Sequence, residues 1–209
     1  MKRILFLSLA LLLCFLITGA AWYYSKYNTG KTHRTVKDIT NKKLITRLTL
    51  HAKPLLVYAQ QHGYNTNTCF LMDMSIESGK NRFFVYDLKK DSVIDAGLVA
   101  QGSCNTERKY GNEVGCGCTS LGKYKIGNPY NGKFGRAYKL YGLDNTNSNA
   151  FKRFVVLHSH SCVPDGEVDP LPICRSEGCP TVSVPYLQKL AAVIDSSKQP
   201  MLLYTFDKN

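Results

Sequence analysis

Behind Met1-Lys2-Arg3 the chain runs apolar from Ile4 to about Tyr24, interrupted only by Ser8, Thr18 and Gly19. A basic start ahead of such a run is the mark of an export signal. Small residues at Gly19-Ala20-Ala21 offer a cleavage point after Ala20 or Ala21. A run of about 20 apolar residues also crosses a bilayer once, and Trp22-Tyr23-Tyr24 with Lys26 suits the headgroup level. Residues 1–24 therefore read as a signal peptide or a transmembrane anchor. In both cases Lys2 and Arg3 stay cytoplasmic, and the remainder is exported to the periplasm or cell envelope, anchored in the inner membrane if uncut. Leu13 stands before Cys14, where a lipidation site needs a small residue.

Export places the remaining cysteines in an oxidising compartment, where disulfides form and persist. Seven follow the apolar run: Cys69, Cys104, Cys116, Cys118, Cys162, Cys174 and Cys179. An odd number leaves at least one unpaired, either spare or working. The exported part carries 25 basic against 15 acidic residues, a charge of +10 that favours an anionic neighbour such as a wall polymer. Nucleic acid is not expected as a partner, because the chain is exported and no basic stripe is interleaved with aromatics.

The linker 25–39 is polar and basic. Its Gly30-Lys31-Thr32 resembles the end of a phosphate loop, but position 25 is Ser and no strand precedes it. Segment 40–65 is helical: Leu44, Ile45, Leu48, Leu55, Leu56 and Ala59 recur at helical spacing, Gly63 serves as C-cap, and Pro54 predicts a kink or two helices. From 66 to 209 the texture is mainly β. Strands are expected at 69–75, 82–88, 92–100, 123–126, 137–141, 154–158 and 200–206, with one late helix from Val184-Pro185 to about Ser197.

The chemistry concentrates between His158 and Cys179. Phe154-Val-Val-Leu-His158-Ser159-His160-Ser-Cys162 is followed by Arg175-Ser176-Glu177-Gly178-Cys179-Pro180. A cysteine becomes a nucleophile near neutral pH when a base or a positive field draws off its proton, and an imidazole does this. Gly178 allows close approach to the Cys179 backbone, and the N–H groups of Gly178 and Cys179 are candidates to face a developing oxyanion. His160, two residues along, is a second candidate base. Two other readings stand beside this one. Cys179 is half of a disulfide, or His158, His160 and Cys162, which share one face of a strand, join Cys174 or Cys179 around zinc.

At these residues the sequence resembles the L,D-transpeptidase catalytic domain family, in the branch with Arg-Ser-x-Gly-Cys-Pro. Val99-Ala-Gln-Gly-Ser, Ser120-Leu-Gly-Lys-Tyr-Lys-Ile-Gly, Tyr130-Asn-Gly-Lys-Phe-Gly and Leu140-Tyr-Gly-Leu-Asp carry the same resemblance upstream, from about Thr66 to Phe206. It implies a mostly β sandwich with a C-terminal capping helix. It also implies an acyl transfer on peptidoglycan stem peptides through a Cys179 thioester, forming 3→3 crosslinks, or acting as an L,D-carboxypeptidase when water is the acceptor. His158 carries over as base and the Ser159 carbonyl as its orienter. Arg175, Ser176 and Gly178 carry over as the frame around the nucleophile. No metal and no organic cofactor is implied. Glu177 departs from the His common in that slot and is expected to point outward, since a carboxylate facing the thiol opposes its ionisation. Within this frame Cys162 and Cys174 are read as a disulfide holding an active-site flap, worth about 3 kcal/mol in the chain-entropy account. Cys104 is read as bridged to Cys116 or Cys118, and the state of Cys69 is left open.

Overall fold

The computed structural model describes residues 17–19, 42–104 and 109–208. The apolar segment 1–24 lies outside the described residues except for Ile17–Gly19, and the linker 25–39 lies wholly outside them. Among the described residues no helix is long and apolar enough to cross a membrane. The compact unit that contains the site spans Arg34–Asn209.

It opens with α1 (Lys42–His62). Leu48, Ala52, Leu55 and Ala59 fall three or four residues apart and form one buried stripe. The helix runs on through Pro54 without dividing. A proline there lacks the N–H for the carbonyl of Leu50, which lies on an exposed stretch of the helix. Gly63 ends the helix with φ of 72°, a left-handed geometry that glycine adopts without strain.

Eight strands follow: β1 (Thr68–Asp73), β2 (Phe83–Asp87), β3 (Ser92–Gly97), β4 (Gly122–Gly132), β5 (Gly135–Gly142), β6 (Val156–Ser159), β7 (Thr181–Val182) and β8 (Leu202–Phe206). Helix α2 (Val184–Asp195) separates the last two. Ser183 caps α2 by accepting the Tyr186 N–H, and Pro185 sits in its first turn.

The strands form one mixed sheet in the order β3-β2-β1-β8-β4-β5-β6-β7. The expectation of a mainly β domain is met, with all eight strands in one sheet. Hydrogen bonding runs unbroken because β8 pairs in parallel with β1 on one side and antiparallel with β4 on the other. Both ends of the sheet nevertheless share a core. Phe70 and Phe83 from β1 and β2, Tyr138 from β5, Leu157 from β6 and Leu187 and Leu190 from α2 belong to a single buried cluster. On the other face, α1 covers Cys69, Leu71, Phe84, Tyr86 and Leu202.

Two disulfides clamp long connections, Cys104–Cys118 between β3 and β4 and Cys162–Cys174 between β6 and β7, and Cys69, Cys116 and Cys179 are free thiols. The zinc reading thereby loses Cys162 and Cys174, whose sulfurs are bonded to each other.

Candidate active site

β6 is short because the chain enters it through a tight turn. Phe154 has φ of 56°, left-handed for a large side chain, and its ring is 83% exposed. That backbone is held by hydrogen bonds from the Phe154 N–H to the Phe151 carbonyl and from the Val155 N–H to the Ala150 carbonyl. Its consequence is local: the Phe154 carbonyl faces the Cys179 thiol, which donates to it at 3.7 Å.

β6 and β7 pair in parallel, with His158 opposite Thr181 and Ser159 opposite Val182. The His158 N–H also reaches the Pro180 carbonyl at 3.3 Å. Cys179 precedes Thr181 by two residues, so the thiol and the imidazole belong to neighbouring segments at the same edge of the sheet. No hydrogen bond joins them in this structure. The His158 Nδ1 lies 3.1 Å from the Ser159 carbonyl oxygen, and a carbonyl accepts only, so Nδ1 carries the proton and Nε2 a lone pair. Nε2 stands 3.0 Å from the Thr181 hydroxyl. That hydroxyl is also 3.2 Å from the Cys179 carbonyl, but it has one proton to give. It donates to the ring while the ring is neutral, and to the carbonyl once Nε2 is protonated.

The electrostatics keep both groups neutral at rest. Burial lowers the imidazole pKa below its ordinary value, and His160 pushes the same way, while the bond to Ser159 opposes them. Burial raises the thiol pKa, and Glu177 adds slightly to this. The Val156 N–H and the charge of Arg153 pull it back down. Glu177 is exposed.

The loop bearing the nucleophile is fixed by its own side chains. Ser176 donates to the Cys179 carbonyl at 2.7 Å and accepts the Gly178 N–H at 3.2 Å. The expected pair of oxyanion donors is thereby reduced, because the Gly178 N–H is spent on Ser176. The Cys179 N–H makes no hydrogen bond among the described residues. Gly178 has φ of 107°, and a Cβ there would stand 2.5 Å from the Cys118 carbonyl oxygen and 3.0 Å from Arg153 Nη2. Only glycine fits between them. His160 accepts the Cys162 N–H on Nδ1, at 3.1 Å, and so leads into the disulfide-closed loop. Arg175 is exposed and lies beside a cavity behind the nucleophile loop rather than against the thiol.

Three contributors were not singled out in the sequence. Arg153 donates to the carbonyls of Gly111 and Cys118 and to the Ser120 hydroxyl, and no carboxylate pairs with it among the described residues. In sequence it was one of a Lys-Arg pair in a loop, indistinguishable from a solvated surface charge. Thr181 looked like a spacer after Cys179-Pro180. Phe134, at the tip of the β4–β5 hairpin, stacks on His158 with centroids 4.9 Å apart and meets His160 edge-on at 5.5 Å. Its motif was legible, but its position above the imidazole depends on the hairpin bending over the edge of the sheet.

The model of the L,D-transpeptidase catalytic domain matches residues 38–206. Solved structures that the chain is similar to include the Ldtfm–avibactam carbamoyl enzyme, 13% identical with a TM-score of 0.45, covering 68% of this chain and 50% of that one. The helical cell shape determining protein Pgp2 from Campylobacter jejuni is 14% identical with a TM-score of 0.42, covering 68% and 48%. An L,D-transpeptidase (residues 123–326) from Xylanimonas cellulosilytica is 14% identical with a TM-score of 0.39, covering 71% and 68%. The chain thus spans about half the length of the first two. No curated protein sequence matches it.

Proposed function

The chain belongs to the L,D-transpeptidase catalytic domain family, and from that premise we propose that it is an exported cysteine acyltransferase acting on peptidoglycan stem peptides. The observation that carries this reading is a free Cys179 thiol at the β6–β7 edge. It lies two residues before Thr181, the strand partner of the buried His158, whose Nδ1 is committed to a carbonyl.

The mechanism follows from that tautomer. The Nε2 of His158 takes the thiol proton as Sγ attacks the carbonyl carbon of the third stem residue. The Thr181 hydroxyl then turns from Nε2 to the Cys179 carbonyl, so the new imidazolium finds an acceptor without moving. The oxyanion meets the unpaired Cys179 N–H and the field of Arg153. The bond to D-alanine breaks, the imidazolium protonates the departing amine, and a thioester remains on Cys179. An amine of a neighbouring stem attacks the thioester, giving up its proton to His158, and the thiolate leaves with a 3→3 crosslink formed. Water in place of the amine makes the same protein an L,D-carboxypeptidase. The exposed rings of Phe134, stacked on His158, and Phe154, whose carbonyl meets the thiol, serve as apolar surface for the stem. The two disulfides support an oxidising compartment, the periplasm or cell envelope.

Mass spectrometry of muropeptides incubated with the purified protein tests this. The expected products are tetrapeptide–tripeptide crosslinks or tripeptides with released D-alanine, together with a trapped acyl adduct on Cys179. Unchanged muropeptides with wild-type protein, or equal turnover by Cys179→Ala, would sink the proposal.

A further inference from the structure

Behind the nucleophile loop lies a cavity of about 250 Å³, between the turn after β1 and the segment 172–175. Three cations line it, Arg82, Lys109 and Arg175, against the single carboxylate of Glu77. Lys109 is already paired with Asp207 at 2.8 Å. Arg82 and Arg175 are not paired in this way. Arg175 is exposed and has no ion pair or side-chain hydrogen bond among the described residues.

Arg82 is a buried cation with neutral partners. It is 2% exposed. Its Nε and Nη2 donate to the Val99 carbonyl at 3.0 and 2.8 Å, and Nη1 donates to the Ile76 carbonyl at 3.2 Å and to Gln101 Oε1 at 2.9 Å. A guanidinium has five N–H donors, so one on Nη2 is left over. Burial lowers its pKa to about 10, which still leaves it charged near neutrality. The buried acid Asp73 is bonded to Arg47 at 2.5 Å instead. Glu77 and Asp73 act on it through space, but among the described residues no carboxylate is bonded to it, and a desolvated charge is costly unless an anion at bonding distance completes it.

The cavity is wired to the nucleophile. The Gln101 carbonyl accepts the Ser176 N–H at 2.8 Å, and Ser176 in turn holds the Cys179 carbonyl. Its roof is the end of the loop closed by Cys162–Cys174. The Ile173 N–H donates to the Ser78 hydroxyl at 3.2 Å, and Val168 donates to the Gly79 carbonyl at 2.9 Å. Ser78 thus keeps its own proton available to an acceptor inside.

We propose that this cavity is a carboxylate subsite, in which Arg175 and the spare donor of Arg82 hold a carboxylate of the stem peptide whose backbone crosses Cys179. The assignment rests on the acyl-transfer reading and names the group by which the donor stem is selected. Two carboxylates have the right chemistry, the terminal one of D-alanine and the side-chain one of the third-position diamino acid.

The experiment compares three disaccharide-tetrapeptides on the intact, oxidised protein: the free acid, the C-terminal amide and the side-chain amide. Release of D-alanine or its amide gives kcat and KM, and calorimetry on Cys179→Ala gives binding without turnover. One amide should raise KM, and weaken binding, by about tenfold or more, the value of a charge-assisted contact. Arg175→Gln should impose the same loss on the free acid and none further on that amide, with partial recovery in Arg175→Lys. Arg82 holds the turn after β1, so its replacement is not needed for the decision. If both amides bind and react like the free acid, the subsite is wrong while acyl transfer stands. If wild type turns over none of the three, acyl transfer falls. Calorimetry then still decides the subsite, since equal binding of acid and amides overturns it and tighter binding of the acid upholds it.

Discussion

The face of the sheet beneath α1 and the edge formed by β6 and β7 each hold a free cysteine, and they are built from different material. Cys69 is fully buried among Leu48, Leu55, Leu71 and Phe84. Burial alone drives its pKa far above the thiol range, with nothing to offset it. Cys179 is also desolvated, yet a backbone N–H and an arginine act on the same sulfur. Burial by itself makes a thiol inert. What separates a working thiol from a core one is the set of dipoles and charges brought to it while it is still partly shielded.

The sharpest way to break the comparison is to delete each sulfur in turn. Cys179→Ala should reduce D-alanine release by about 10⁴-fold or more while leaving the fold intact. Cys69→Ala should leave turnover unchanged and lower the urea midpoint. Loss of activity at 69 would overturn the contrast.

His158→Ala should cost about 10²- to 10⁴-fold in kcat/KM, the usual worth of a positioned base. The imidazole must be neutral to accept a proton, and its pKa is held below the ordinary 6.5. Activity should therefore persist as pH falls to that value and disappear only below it. A pH–rate profile whose acid limb lies above 6.5 would contradict this.

On the opposite face, Leu55→Ala should destabilise the fold by about 2–5 kcal/mol through a cavity under α1. Urea unfolding measures that loss, and kcat/KM at a temperature where the variant is folded should match wild type.

The smallest effect is electrostatic. Arg153 lowers the Cys179 pKa, so Arg153→Gln should raise it. Alkylation by iodoacetamide, which requires thiolate, should slow about a few-fold at fixed pH. In wild type the same reaction should keep rising through pH 9, since burial dominates that thiol. A plateau near neutrality would mean a resting thiolate–imidazolium pair instead.

Much of this was legible from residue order. The stripe of α1, its Gly63 stop, and β1, β2, β3, β6 and β8 follow from local apolar spacing and turn residues. β4 runs beyond its expected end because a register shift between Ile126 and Pro129 absorbs a proline that reads as a stop. β7 has only two residues and exists through its partner rather than its own pattern. The sheet order could not be read locally, because the β1–β8 pairing joins segments more than a hundred residues apart. In the site, His158 and Cys179 announced themselves by motif. Arg153 and Thr181 depend on which loops the fold brings together, as does the choice of Cys118 over Cys116 as the partner of Cys104.

The placement of β8 has a consequence for how the molecule comes into being. β8, the last of these strands in chain order, lies at neither end of the sheet but inside it, gripped by β1 on one side and β4 on the other. Without Leu202–Phe206 the β1–β2–β3 and β4–β5–β6–β7 ladders are linked in hydrogen bonding only through the bridges Ala100–Thr181 and Gly102–Ser176 among the described residues. The main seam of the sheet is therefore expected to close only when that strand slots between the two ladders.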